Sequence, residues 1–229
     1  MKTVIIVAGG RGKRMGHNTP KQFLKLDGVP IIVRTIMSFY NYDNQIKIIL
    51  ALPKDEIEKW EAIKSKTANI PPHIIVEGGN ERFFSVKNSL AHVGKNEIVA
   101  VHDGVRPFAS IETISRCFEK AEQSGAAVPV ITMTESIRYF ENEDKSVTVS
   151  REKYKIVQTP QVFKSDILIA AYEQPYVKDF TDDASVVEKS GYPVSSVEGN
   201  RENIKITTPM DMKVAKFLLY TNRAPDYER

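Results

Sequence analysis

The sequence predicts an α/β protein with a doubly wound, mostly parallel sheet and a projecting β-hairpin arm. Three observations predict it. Short, continuously apolar runs such as Thr3–Ala8 and Ile46–Pro53 have the composition of strands buried on both faces. Stretches of helical period lie between such runs, so strands and helices alternate up to Thr134. From Ser136 to Phe163 the period drops to near two around the polar stretch Glu141–Lys145, the pattern of a β-hairpin.

Each element follows from its own residues. After the first strand, Pro30–Tyr42 has helical spacing, with Pro30 suited to a first turn. Lys54–Lys66 is the next helix, with Ile57, Trp60 and Ile63 at core spacing, so Trp60 is read as a core or interface residue. His73–Gly79 is a strand, Glu81–Val93 a helix and Glu97–Gly104 a strand. Ser110–Gly125 is a helix with a serine N-cap and a glycine C-cap, and Ala126–Thr134 is a strand. Beyond the hairpin come helices at Lys164–Gln174 and Asp182–Gly191 and a strand at Val194–Gly199. The last helix opens at Thr207, where Thr208 can cap and Pro209 takes the first helical position; residues 223–229 read as a frayed tail.

The whole chain, 1–229, is expected to be one domain, with residues 135–158 as an arm. An isolated two-stranded ribbon is marginal in water, so the arm is expected to pack on another copy of the chain. Composition excludes several classes. A net charge of +3 is too small for a nucleic-acid surface. The lone Cys117 rules out an intramolecular disulfide or a cysteine-based zinc site, and its helical spacing makes it a packed thiol. No stretch approaches the roughly 18 apolar residues of a membrane span. With no leader pattern either, a cytoplasmic protein is expected.

The chemistry concentrates where the first strand ends. Val7–Phe23, "VAGGRGKRMGHNTPKQF", carries the loop glycines Gly10, Gly12 and Gly16 and the cations Arg11, Lys13, Arg14 and Lys21. It lacks the glycine–lysine spacing of a P-loop. Its G-x-G-x-x-x-G spacing also misses the dinucleotide fingerprint. A nucleoside triphosphate fits better. Glycines admit close backbone approach, and free N–H groups with Arg14 and Lys21 can neutralise phosphates. Lys13 is read as a solvated charge, and His102 as a strand residue facing the core.

Six ordered segments then carry a family resemblance: "AGGRGKRMG…PKQF", "GGNERFFSVKN", "VHDGVRPF", "VQTPQVF", "TDDASVVE" and "EGNRENIKITTPMD". On these the chain resembles the 2-C-methyl-D-erythritol 4-phosphate cytidylyltransferases. The resemblance implies a Rossmann-like fold, homodimers that exchange arms, and transfer of CMP from CTP to a sugar-alcohol phosphate with Mg²⁺. It implies Arg14, Lys21 and Lys205 around the triphosphate as catalytic cations and Asp103 as the metal ligand. It assigns CTP contacts also to Ala8, Gly9, Gly10, Gly12, Gly79, Asn80 and Ser85. Acceptor contacts fall on Gly104, Arg106, Ser136, Arg151, Thr181 and Lys205, with Ser136 and Arg151 reaching the partner's site. The chemistry agrees with those residue types. A phosphate monoester already carries about −1.5 to −2 charge at neutral pH, so the nucleophile needs no base. What such a transfer needs is positioning and neutralisation of charge.

Some positions depart from the family pattern. Gly9 replaces a usual alanine, "ESIR" (Glu135–Arg138) replaces a usual Asp-Thr-x-Lys, and Gly104-Val105 replaces paired alanines. Two competing readings follow. Ribitol-5-phosphate cytidylyltransferases share the loop, "PKQF" and "NIKIT", but "SVKN" and "TDDASVVE" favour the erythritol enzyme. A non-catalytic nucleotide-binding regulator is opposed by the intact Arg14, Lys21, Asp103 and Lys205.

Overall fold

The computed structural model describes residues 1–10 and 19–221. Gly12, Arg14 and the tail 223–229 lie outside the described residues. In chain order the elements are β1 (Lys2–Val7), β2 (Lys25–Leu26), β3 (Val29–Pro30), α1 (Ile31–Tyr42), β4 (Lys47–Leu52), α2 (Lys54–Lys64), β5 (Ile74–Glu77), α3 (Arg82–Leu90), β6 (Ile98–Asp103), α4 (Ile111–Ser124) and β7 (Ala126–Thr132). Then come β8 (Ile137–Phe140), β9 (Ser146–Val149), β10 (Lys155–Val157), β11 (Gln161–Lys164), α5 (Ser165–Ala171), α6 (Asp183–Lys189), β12 (Ser195–Glu198) and α7 (Pro209–Thr221).

Strand β1 sits at the centre because it is apolar on both faces. It pairs in parallel with β4 and β6, and β4 pairs in parallel with β5. Its alternate residues feed two cores. Val4 and Ile6 pack with Ile36, Phe39, Trp60 and Phe118 under α1, α2 and α4. Ile5 and Val7 pack with Phe83, Val86, Leu168 and Val186 under α3, α5 and α6. Helices on both faces of a mostly parallel sheet are the expected doubly wound arrangement. Trp60 is wholly buried and stacks on Phe23 at 6.2 Å, its indole N–H bonding His73, so it is a core residue. Cys117 is also wholly buried, and burial pushes its thiol up to about 12.

Helix ends follow their capping residues. Ser110 accepts the Thr113 N–H, and Gly125 takes φ +92° to end α4. Asp182 caps α6 reciprocally with Ser185. Thr208 Oγ1 accepts the Asp211 N–H at 3.2 Å, and Pro209 opens α7.

Two features depart from the sequence reading. The alternating run is not one ribbon: only β8 and β9 form the separate hairpin. Strand β10 joins the main sheet along Val130–Thr132 of β7, and β11 runs antiparallel between β6 and β7. The segment Gln158–Phe163 is buried, so "QVF" is a central strand rather than the return of an arm. Alternation cannot distinguish these cases, because four residues contain too few periods to reveal burial on both faces. The second departure is a tiny hairpin of β2 and β3. Asp27 (φ +50°) and Gly28 (φ +77°) make the turn, an Asp-Gly signal between Leu26 and Val29.

Candidate active site

The cavity opens at the carboxyl ends of β1 and β6, where a parallel sheet exposes its unpaired strand ends. It measures about 280 Å³, with Ala8, Gly9, Gly10, Lys21, Gly79, Asn80, Arg82, Ser85, Asp103 and Lys205 on its walls. Nine of the residues expected for nucleotide, metal or catalysis therefore share one space: Ala8, Gly9, Gly10, Lys21, Gly79, Asn80, Ser85, Asp103 and Lys205.

One wall is backbone. The Gly78-Gly79 turn crosses above α3, where the Gly79 N–H donates to Ser85 Oγ at 3.1 Å. A Cβ on Gly79 would overlap that of Phe84, so this close approach needs glycine. Opposite it, the Ala8 N–H donates to the Ala51 carbonyl, and the Ala8 carbonyl accepts from Gln22 Nε2 at 2.8 Å. The same Nε2 bonds Glu56 on α2, so the "PKQF" segment is tied to the end of β1 from behind. Lys21 begins a short 3₁₀ turn, Lys21–Phe23, and its Cε lies 3.2 Å from where a Gly10 Cβ would stand.

The opposite wall is an ion cluster on Asp103. Its Oδ2 meets Lys205 Nζ at 3.0 Å and accepts from Arg106 Nε at 3.2 Å. Its Oδ1 faces Arg82 Nε at 3.6 Å. Burial works to raise the carboxyl, but Arg82, Lys205 and Arg106 outweigh it and hold it well below the usual carboxylate range. The Asp103 backbone is fixed too, its N–H donating to Thr159 Oγ1 at 3.1 Å. Arg106 is further anchored by the Asn203 carbonyl at 2.7 Å.

His102 is wholly buried, packs edge-on against Phe39, and contacts the Arg106 carbonyl and Thr159 Oγ1. Burial lowers its pKa to about 4, so it is neutral and part of the core. Gly104 is buried with both polar groups engaged, its N–H on the Val7 carbonyl and its carbonyl accepting from Thr35 Oγ1.

Of the residues expected to contact the acceptor, Lys205 lines this cavity, whereas Gly104, Arg106, Ser136, Arg151 and Thr181 do not. Ser136 and Arg151 are exposed on and after the hairpin, where Arg151 donates to the Thr134 carbonyl. Arg138, at the variant arm motif, clamps across the hairpin to Ser146 and Thr148. Thr181 is an exposed residue just before the Asp182 cap of α6. Sequence reasoning missed Gln22, Glu56, Arg82 and Asp183. Gln22, Arg82 and Asp183 stood inside quoted segments, "PKQF", "GGNERF" and "TDDASVVE", each of them directly followed by an apolar residue, which was the available signal.

The sequence profile described as 2-C-methyl-D-erythritol 4-phosphate cytidylyltransferase matches residues 2–221. The chain belongs to that family. A 2-C-methyl-D-erythritol 4-phosphate cytidylyltransferase of Bacteroides fragilis is 52% identical, over 95% of this chain and 99% of that protein. One from Bacillus licheniformis is 36% identical, over 98% of each chain. The crystal structure of the Thermus thermophilus cytidylyltransferase superposes with a TM-score of 0.78 at 30% identity, covering 96% of this chain and 100% of that one. The structural likeness to the 2-C-methyl-D-erythritol 4-phosphate cytidylyltransferase family thus extends over nearly the whole chain.

A divalent cation fits the donor set. Among the described residues no group of three His, Cys, Asp or Glu side chains could cage a metal. Mg²⁺ commonly needs no such cage, since it takes one or two carboxylates plus substrate phosphates. Asp103, at the carboxyl end of β6, is a carboxylate on the cavity wall that would serve as such a ligand.

Proposed function

We propose that the chain transfers CMP from CTP to 2-C-methyl-D-erythritol 4-phosphate, giving 4-diphosphocytidyl-2-C-methyl-D-erythritol and pyrophosphate. An oxygen of the acceptor phosphate attacks the α-phosphorus of CTP in line. A new P–O–P bond forms as the bond to the β-phosphate bridge breaks, and pyrophosphate leaves. The observation that carries this reading is the grouping of Lys21, Lys205 and Asp103 beside a glycine wall, in a chain of this family.

The residues divide the work. The Gly9–Gly10 and Gly79 backbone, with Asn80 and Ser85, suits a base edge and ribose, because bare backbone admits donors and acceptors at close range. Lys21, beside Gly10, neutralises charge at the α-phosphate as it becomes pentacoordinate. Arg14 is assigned to the same triphosphate from the sequence. Lys205, on the cavity wall, suits the acceptor phosphate, and Arg106, which bonds Asp103 and the Asn203 carbonyl, is assigned to the same group from the sequence. Mg²⁺ held by Asp103 would supply charge neutralisation for the phosphates. No base is required, because the acceptor phosphate is already anionic.

Ser136, Arg151 and Thr181 complete the acceptor pocket in a homodimer whose arms exchange. Support comes from the hairpin's own surface, where Tyr139 is 57% and Phe140 61% exposed, large apolar faces on a ribbon too small to stand alone. No helix among the described residues is long and apolar enough to cross a membrane.

The test is pyrophosphate release with CTP and Mg²⁺, offering methylerythritol 4-phosphate and ribitol 5-phosphate in parallel. Preference for the first is expected. Preference for ribitol 5-phosphate would refute the acceptor assignment, and silence with both would refute the enzyme.

A further inference from the structure

Arg82 is a cation of the cavity wall that neither the sequence nor the mechanism above assigns. It opens α3 directly after the Gly78–Glu81 turn. Its guanidinium forms a two-pronged pair with Asp183, Nη1 to Oδ1 and Nη2 to Oδ2, each at 2.7 Å. Asp183 is wholly buried, and its Oδ1 also accepts the Tyr172 hydroxyl at 2.7 Å. Tyr172 is held in turn by stacking on Phe83, with centroids 4.6 Å apart. The fork is therefore locked from behind by a carboxylate, a phenol and an aromatic stack. The Nε edge points the other way, 3.6 Å from Asp103 Oδ1.

That arrangement separates the two oxygens of Asp103. Lys205 and Arg106 take Oδ2, whereas Arg82 is the cation facing Oδ1. Lys205 is 44% exposed on a flexible stem and can swing to a phosphate. Arg82 cannot follow, because a planar bidentate pair on a buried aspartate fixes its plane. We propose that Arg82, clamped by Asp183, is a positioning residue that holds the Asp103 carboxylate in the orientation that receives Mg²⁺·CTP. The same clamp ties the start of α3, beside the nucleotide wall, to the start of α6, just after Thr181. This inference rests on the proposed role of Asp103 as the metal-holding carboxylate. It adds the residue that orients that carboxylate and the residue that fixes it.

The experiment is calorimetric CTP binding with and without Mg²⁺ on the full chain, comparing wild type with Arg82→Gln, Arg82→Lys, Asp183→Asn and the pair Arg82→Gln/Asp183→Asn. In wild type, Mg²⁺ should tighten CTP binding by at least about tenfold. In Arg82→Gln most of that gain is lost, while metal-free CTP affinity stays within about threefold. Asp183→Asn, which leaves the guanidinium unclamped, should lose part of the gain. The paired variant should be no worse than Arg82→Gln, because both act through one link. Arg82→Lys keeps charge without the fork and should recover only part. Should Arg82→Gln fold poorly, the paired variant carries the test, since it strands no buried carboxylate; melting curves identify that case. An undiminished Mg²⁺ gain in the variants overturns the proposal. So does a loss confined to metal-free affinity, which would make Arg82 a phosphate ligand, and so does a wild type indifferent to Mg²⁺. Absence of CMP transfer by the wild type would refute the proposed function and still leave this binding comparison readable.

Discussion

Lys205 Nζ stands 3.0 Å from Asp103 Oδ2, and this one contact joins the segment before α7 to the end of β6. It brings an aspartate and a lysine 102 positions apart in the sequence onto the wall of one cavity. The pair is useful because it is unequal. Asp103 is buried and fixed by its backbone, whereas Lys205 is exposed and can exchange the carboxylate for a phosphate.

Asp103→Asn separates the two roles. Removing a negative charge from a cavity meant for a triphosphate should leave metal-free CTP binding intact or tighter. Turnover should fall by about 10²–10³, the usual consequence of deleting one preorganised electrostatic group. Steady-state kinetics beside metal-free CTP titration would check this. Unchanged kcat in the variant would remove Asp103 from the chemistry.

Lys21→Ala should lower kcat far more than it weakens CTP binding. Its ammonium lies over Gly10; on the proposed function, charge would grow there as the α-phosphate becomes pentacoordinate, and its contribution would belong to the transition state. An effect on KM alone would make it an ordinary ground-state contact.

The two glycine positions make a matched pair. Gly79→Ala forces a Cβ into that of Phe84, and overpacking of this kind costs about 1–3 kcal/mol. It should therefore weaken CTP binding and lower the melting temperature. Gly9→Ala meets nothing nearer than Ser85 Oγ at 3.9 Å, and should leave both unchanged. If Gly9→Ala were the more damaging, the close approach that matters would lie at the end of β1 and not at the Gly78-Gly79 turn.

Much of this was legible because local and global signals agreed. Val4 to Val7 are apolar without alternation, so β1 had to be central; Ser110 and Gly125 announced both ends of α4. Lys21, Asp103 and Lys205 were readable as cations and a carboxylate within recognisable segments. What was not legible depends on pairing across sequence. The insertion of β11 between β6 and β7 is decided by the burial of Gln158, Thr159 and Gln161, polar residues whose partners lie far away in the chain. Arg82 and Asp183 stood 101 positions apart with nothing in the sequence to pair them, until α3 and α6 placed them 2.7 Å from each other.

Away from the site, Glu97 supplies a pH dependence. It is 3% exposed, and its carboxylate bonds Lys47 Nζ at 2.6 Å and Thr3 Oγ1 at 2.5 Å. Burial works to raise its pKa, yet these bonds outweigh it, so the folded value lies below the ordinary 4.5. A depressed carboxyl contributes stability above its unfolded pKa and loses it as pH falls through the folded value. Stability should therefore drop on acidification from about pH 4.5 downward, the unfolded state there binding the extra proton. Glu97→Gln should be less stable at pH 7 and show a flatter acid limb in urea titrations. An equally steep limb would assign the acid sensitivity to other carboxylates.

The arm makes the most demanding prediction. Arg151 is exposed outside its own chain's cavity, so in an arm-exchanged dimer it would serve the partner's site, whereas Lys21 serves its own. Arg151→Ala and Lys21→Ala homodimers should each be nearly inactive. Mixed and allowed to exchange subunits, heterodimers would carry one site lacking both residues and one site lacking neither. Random exchange should thus restore about a quarter of wild-type activity, half the dimers being mixed and each having one intact site of two. Subunit exchange is followed by native mass spectrometry of differently tagged chains. Exchange without recovery would place Arg151 in its own subunit's site, or out of the reaction altogether. Recovery would also give the exposed Tyr139 and Phe140 their reason: Phe140→Asp should then shift the protein to monomer in sedimentation and abolish turnover with it.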